Sequence, residues 1–311
     1  MSQWQLTKPV AFFVFNRPDT TALVFETIRR AAPSTLLLVA DGPRPDRPGE
    51  AERCAAVRAI VEGVDWPCDV HFNFSDINLG CRYRVSTGLN WVFESVEEAI
   101  ILEDDCLPDQ SFFRFCEELL TRYRDDRRIM MISGDNFQFG ANRSSDSYYF
   151  SRYPHIWGWA CWRRSWEMYC ADIKLWPQVR EGGWLKDCLG RSRLVKYWSD
   201  AFESVHRGEI DTWDHQLTFA CLVNHALCVV PNRNLVSNIG FGANATHTTE
   251  KGPLSELRTE EMQFPLRHPP FVMQDARSDS RTERDFFLPP PIGARVGKLL
   301  QRLLLPKGRR E

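Results

Sequence analysis

The sequence predicts an α/β fold with a mainly parallel central sheet flanked by helices. Over the first 135 residues, short apolar runs alternate with segments of helical periodicity. Those runs are apolar nearly throughout, as strands covered on both faces are. A length of 311 residues allows one large α/β domain with a sizeable core.

Taken in order, "PVAFFVF", "TLLLVA", "DVHFNF", "AIIL" and "IMMIS" read as strands. Between them, "DTTALVFETIRRA", "GEAERCAAVRAIVEG", "YRVSTGLNWVFESV" and "SFFRFCEELLTRYRDD" read as helices, with Asp19 and Ser111 as caps of the first and last. After residue 136 the chain becomes aromatic and irregular in "SYYFSRYPHIWGWACWRRSWEMY". Helical patterns "RLVKYWSDAFESVHRG" and "TWDHQLTFACLVNHA", a strand "LCVVP" and a loop "NRNLVSNIGFGANATHT" follow. The expected organisation is one domain over 1–248, with halves 1–136 and 137–248, and a charged, proline-rich extension over 249–311 that is wrapped or mobile.

Ligands of parallel sheets bind beyond the carboxyl ends of the strands. Polar residues gather there: Asn16-Arg17 after the first strand, Asp41-Gly42 after the second, "SDINLGCRYR" after the third, Glu103-Asp104-Asp105 after the fourth and Ser133-Gly134-Asp135-Asn136 after the fifth. Three adjacent carboxylates suit a hard cation, Mn²⁺ or Mg²⁺, held by few protein oxygens plus substrate phosphates. An acidic turn at a strand end is the plain alternative. In extended backbone, Glu103 and Asp105 share one side and Asp104 takes the other.

Several classes are excluded. A net charge of −2 argues against a nucleic-acid binder. There is no GxxxxGK[ST], GxGxxG or GxSxG pattern, so P-loop kinases, ordinary dehydrogenases and nucleophile-elbow hydrolases fall away. The ten cysteines form no CxxC and point to a reducing compartment. Cys221, His225 and Cys228 lack a fourth zinc ligand at the usual spacing. No run reaches the roughly 18 apolar residues of a membrane span, and the N-terminal run is too short for a signal peptide, so the expected location is cytoplasmic.

The order of "PVAFFVFNRPD", "LLLVADGPR", "NLGCRYRVSTGLNWVF", "AIILEDDCLPDQSFFRF", "WGWACWRRSW", "DTWDHQL" and "NLVSNIGFGANATHT" resembles bacterial glycosyltransferases of the GT-A fold, distantly similar to N-acetylglucosaminyltransferase I. The resemblance spans roughly residues 8–248. It implies a nucleotide-diphosphate sugar donor, typically of UDP, and a glycan or lipid-linked acceptor. By position it implies nucleotide contacts at Asn16 and Arg17, base pairing by Asp41, flanking of the base by Arg82 and Tyr83, and donor-sugar and ribose contacts by Glu103 and Asp104. It further implies metal coordination by Asp105, a second metal or phosphate contact from His247, and Asp214 as general base of an inverting reaction.

Read from the residues alone, Asp214 fits an N-terminal helix carboxylate better than a catalytic base. The aromatic cluster divides between core packing and stacking on sugar, with Trp157, Trp159 and Trp213 as the stacking candidates. Gly240 and Gly242 suit either a loop that closes over the donor or a static turn. At the C-terminus, "GARVGKLLQRLLLPKGRRE" carries six basic residues from Arg295 to Arg310 beside a leucine-rich face. That pattern fits either a helix on the inner membrane surface or one docked on its own domain. Two rival functions remain: a nucleotidyltransferase that makes the sugar nucleotide, and a binding module without turnover. The first usually shows a Gly-rich "GxGTR"-like segment where this chain reads "FNRPDTT".

Overall fold

Four apolar segments become inner strands because neither face of the sheet meets water there, and a fifth closes one edge. β1 (Val10–Val14), β2 (Thr35–Ala40), β4 (Glu98–Glu103) and β6 (Ile129–Ser133) are buried almost end to end, while β3 (Asp69–Phe74) lies at an edge and is largely exposed. The computed structural model describes residues 6–241, 254 and 257–288. His247 and the basic C-terminal stretch 292–311 therefore lie outside the described residues.

The central sheet has eight strands in the order β3-β2-β1-β4-β8-β6-β9-β7, completed by β7 (Tyr148–Ser151), β8 (Trp159–Trp162) and β9 (Leu227–Pro231). Neighbours β3, β2, β1 and β4 pair in parallel, as do β6 and β9; β8 runs against β4 and β6, and β7 against β9. The sheet is mainly parallel, as its apolar runs require. The segment read as aromatic and irregular supplies β7 and β8. Each is only four residues long, too short to display a period against so many aromatic neighbours.

Helices α1 (Pro18–Ala31), α2 (Glu50–Glu62), α3 (Gly80–Ser95) and α4 (Gln110–Arg122) connect the first strands. Two caps differ from expectation. α1 has no side-chain cap: it starts on Pro18, whose fixed φ and missing N–H suit a first helical position. α4 is capped by Asp109, which accepts from the Ser111 amide at 2.8 Å, so Ser111 is inside the helix.

The chain order places β1 between β2 and β4. The chain runs from β1 outward through β2 to β3 and then crosses back to β4 on the other side of β1, which opens a crevice at the carboxyl ends of β1 and β4. Register then fixes the neighbours: Phe13 lies beside Glu103 and Val14 beside Ala40. The residues after these positions, Phe15 to Arg17, Asp41, and Asp104 with Asp105, are thereby brought together without any long-range loop.

A second layer covers the far half. Short helices α5 (Arg163–Trp166), α6 (Trp176–Glu181) and α7 (Leu185–Leu189) lead into α8 (Ser192–His206) and α9 (Asp214–Val223). Trp176, Trp198, Phe202 and Phe219 form a separate buried cluster there. Residues 257–288 pack against the sheet through α10 (Ala276–Thr282) and a π-helical turn, Glu283–Phe287. Ser151 donates to Asp279 at 2.6 Å and Tyr153 to Glu283 at 2.9 Å.

Candidate functional site

The acidic bend after β4 is held by three different kinds of contact. Asp104 turns inward and accepts from the Phe15 amide at 3.1 Å. Arg17 Nη1 lies 2.6 Å from Asp105 Oδ2 and 3.9 Å from Asp104 Oδ1. The Asp105 carbonyl accepts from the Ile239 amide at 2.7 Å, next to a two-stranded ribbon of β5 (Cys106–Pro108) and β10 (Val236–Asn238). That ribbon brings Gly240 so close that a Cβ there would lie 2.3 Å from Asp105 Oδ2 and 2.7 Å from Arg17 Nη1. Only glycine fits this approach.

The carboxylates crowd one another. Burial, then Asp105, Asp104 and Asp214, push Glu103 up to about 8; burial and Asp105 push Asp104 up to about 7. Burial also opposes the charge on Arg17, yet Asp104 and Asp105 hold it above its ordinary range. Negative charge at the bend thus exceeds the positive charge its near neighbours supply.

Two cavities meet at this bend. The smaller, about 310 Å³, runs back along the ends of β1 and β2, with Phe13, Val39, Asp41, Arg44 and Arg84 in its walls. The larger, about 730 Å³, opens on the other side toward Trp157, Trp213, Asp214 and Phe241. Arg17, Cys81, Glu103, Asp105 and Asp211 line both.

The start of α3 forms the common floor, and two remote carboxylates satisfy its first amides. Asp41 accepts from Leu79 and Gly80, and also from Gly42 and the Asn78 side chain. Asp211 accepts from Cys81 at 3.0 Å and Arg82 at 2.7 Å. The unpaired N–H groups and positive end of the helix are therefore neutralised by the chain itself. Gly80 adopts φ +75°, and a Cβ there would meet Asp211 at 2.8 Å.

Asp214 is the first residue of α9 and faces the larger cavity. The Thr212 hydroxyl donates to its Oδ1. Trp157 stands opposite, half-buried, edge-on to Phe137 and Phe241. Its amide donates to Asp135 at 3.0 Å, and His155 Nδ1 lies 3.4 Å from the other Asp135 oxygen. Burial pushes the Asp135 carboxyl up.

Of the residues named from the sequence, Arg17, Asp41, Glu103, Asp104, Asp105, Trp157, Trp213 and Asp214 line one cavity or the other. Four do not. Arg82 is buried and donates to the carbonyls of Val205 and Ala171 and to Asp172. Tyr83 is 51% exposed and lines neither cavity. On α3, positions 81, 84 and 85 share the crevice face, so the helical period turns 82 and 83 away and presents Arg84 instead. Asn16 donates to Glu50 at 2.8 Å, and Glu50, held at about 2 chiefly by Arg44, fixes that arginine at the cavity wall. Trp159 is a core residue, stacked on Trp213 with centroids 5.7 Å apart. Trp213 offers the cavity only what this stack leaves uncovered.

Asp211, Arg44, Arg84, Cys81 and Phe241 were not singled out from the sequence. Asp211 lies two residues before the recognisable "WDHQ" stretch, and nothing local marks it as the partner of a helix 130 residues earlier.

Carboxylate oxygen is the right donor for a hard divalent cation, and the surplus of negative charge favours one. Among the described residues, however, no three Asp, Glu, His or Cys side chains converge to hold a metal alone. A cation at this bend would take one or two carboxylates, Asp105 foremost, and complete its shell with phosphate and water. Among the described residues no helix is long and apolar enough to cross a membrane.

No protein-family model and no curated protein matches the chain. Among solved structures, a crystal structure of UDP-glucose pyrophosphorylase complexed with UDP-glucose is similar, with a TM-score of 0.34 and 9% identity, covering 72% of this chain and 90% of that one. A likeness of that size identifies no family and assigns no residue a role.

Proposed function

We propose that the protein is a metal-dependent, inverting glycosyltransferase that moves a sugar from a nucleotide-diphosphate donor, of UDP in the first instance, to an acceptor hydroxyl. The observation that carries this reading is the pair of cavities sharing one acidic wall. A transferase must hold two substrates with their reacting ends together, and a narrow and a wide chamber that meet at Glu103 and Asp105 provide that arrangement.

In this reading the nucleotide occupies the narrow chamber. Phe13 and Val39 supply an apolar floor, and Arg44 and Arg84 supply positive charge. Asp41 is a positioning residue: with four donors already on its carboxylate, it shapes the 78–80 turn that frames the base. The donor sugar lies at the junction, where Glu103 and Asp104 accept from its hydroxyls and those of the ribose. When bound, Mn²⁺ or Mg²⁺ supplies Lewis-acid stabilisation of the departing diphosphate. Arg17 adds a fixed positive charge beside Asp105, and His247, outside the described residues, is kept as a second contact to the phosphates.

The acceptor enters the wide chamber past Trp157. Asp214 takes the proton of its hydroxyl as the new bond forms at the anomeric carbon, and the nucleoside diphosphate leaves from the opposite face. Thr212 fixes the carboxylate orientation.

The decisive experiment offers a panel of nucleotide sugars and acceptors with Mn²⁺ and identifies the products. Glycoside plus nucleoside diphosphate supports the reading. Pyrophosphate as product or co-substrate replaces it with nucleotidyl transfer, and donor binding without turnover replaces it with a binding module. Asp214→Asn is expected to lower kcat by about 10²- to 10⁴-fold with donor affinity nearly unchanged; full activity in that variant would remove Asp214 as the base.

A further inference from the structure

Away from the acidic bend, residues of the C-terminal segment build a cavity of opposite character. Arg143, Arg191, Arg277, Arg281 and Arg284, with Gln138, stand in the walls of an open cavity of about 680 Å³. Among the described residues, no Asp or Glu lines it. Three arginines come from one short stretch: 277, 281 and 284 recur at intervals of four and three, so α10 and the turn after it present them on one face. Arg191 comes from the residue preceding α8 and Arg143 from the loop after β6.

The charges do not cancel. Asp275 pairs with Arg143 at 3.3 Å and Glu283 with Arg191 at 3.2 Å. Asp285 serves both Arg284, at 2.8 Å, and Arg281, at 3.7 Å. Arg277 has no ion pair with a described residue, and the Nε of Arg281 is buried without a hydrogen-bond partner among them. Five guanidinium groups thus share three carboxylates around one space. Gln138 is not available as a ligand, because its amide already donates to Ser278 and Thr282. What the cavity offers is a set of planar, permanently charged forks, the geometry that matches phosphate oxygens.

We propose that this cavity is a phosphate-binding subsite, sized for a diphosphate or a phosphate carried on a larger molecule. Its position links it to the wide chamber. Phe137, next to Gln138, packs its ring on His155 at 4.8 Å, on Trp157 at 5.0 Å and on Phe286 at 5.2 Å. One aromatic layer therefore separates the arginines from Trp157, which lines the wide chamber. An acceptor anchored here through phosphate would have its free hydroxyl directed toward Asp214; this step alone rests on the transferase reading.

The test is isothermal titration of the full chain with inorganic pyrophosphate in metal-free buffer, compared with Arg277→Ala/Arg284→Ala. Both side chains are exposed, so the fold should tolerate their loss, and Arg277→Lys/Arg284→Lys provides a charge-preserving control. Pyrophosphate is expected to bind the wild type, at least about tenfold more weakly to the alanine variant, and at intermediate strength to the lysine variant. Equal binding by wild type and alanine variant would overturn the proposal, as would absence of binding to the wild type. Flotation with phosphatidylcholine vesicles, with and without phosphatidic acid, separates the sources. Arginine-dependent flotation on the acidic vesicles alone supports a lipid phosphate, and pyrophosphate binding without flotation supports a soluble one. No arm uses turnover, so failure here leaves the transferase reading standing, and failure of transfer leaves this one.

Discussion

Glu103 and Asp104 sit where a strand end meets two further carboxylates, and their acidities follow from that placement. Both are acids whose folded pKa, about 8 and about 7, exceeds the ordinary values of 4.5 and 3.8. The folded state therefore holds more protons through this window. Stability is full below the ordinary values and falls as pH rises through about 7 and 8. In metal-free buffer the melting temperature should decline across that interval, and Glu103→Gln should flatten the decline and melt above wild type at its alkaline end. Thermal melts at a series of pH values check this; an unchanged slope in the variant would remove Glu103 as its source. Added Mn²⁺ should act in the same direction as the variant if the bend holds a cation. The acidic triplet was legible in the sequence because its residues are consecutive. Its pairing with Arg17 was not, since parallel register between β1 and β4 creates that contact.

Helix α3 shows how an element hides its own face. The stretch "NLGCRYR" was recognisable as flanking the crevice, yet the helix side chains of that stretch that reach it are Cys81 and Arg84, beside Asn78 from the preceding turn, whereas Arg82 braces α8 and the 171–172 turn. Choosing among neighbours on a helix requires its phase relative to the sheet, and that phase is set by which residues pack on β1 and β2. Gly88 records it: a Cβ there would lie 2.7 Å from both Phe13 and Val39. The same helix depends on a remote cap. Asp211→Ala leaves the Cys81 and Arg82 amides without their acceptor and should cost about 0.5 to 2 kcal/mol. That corresponds to a loss of about 1 to 3 °C in melting temperature, with Asp211→Asn losing less. A differential scanning measurement decides it, and an unchanged alanine variant would mean that water replaces the carboxylate at no cost.

Over the whole molecule, the two halves of the sheet are joined by β8, which runs antiparallel between β4 and β6. This strand carries the Trp159 that packs under Trp213, so helix α9 rests on the strand next to the acidic bend. The C-terminal segment completes the fold. Asp279 and Glu283 are buried, and they accept from Ser151 and Tyr153. A chain ending at residue 256 deprives both hydroxyls of these acceptors. Two lost hydrogen bonds to carboxylates, at roughly 1.5 to 3 kcal/mol each, predict a melting temperature lower by roughly 5 to 9 °C. Equal stability of the shortened chain would show that 257–288 is an appendage.

The sequence by itself determined the layered α/β architecture, the mainly parallel sheet and the gathering of polar residues at one edge. These follow from local facts: apolar runs too short and too uniform for surface elements, and charged residues where each run stops. Tertiary structure decided which of those residues share a cavity. It paired Arg17 with Asp105, assigned Asp41 and Asp211 to the start of α3, sent Trp159 into the core, and set five arginines around a second opening. Each of these depends on strand register, helix phase or a contact across more than a hundred residues. No window of sequence contains such information, because the energy that selects it comes from packing between elements.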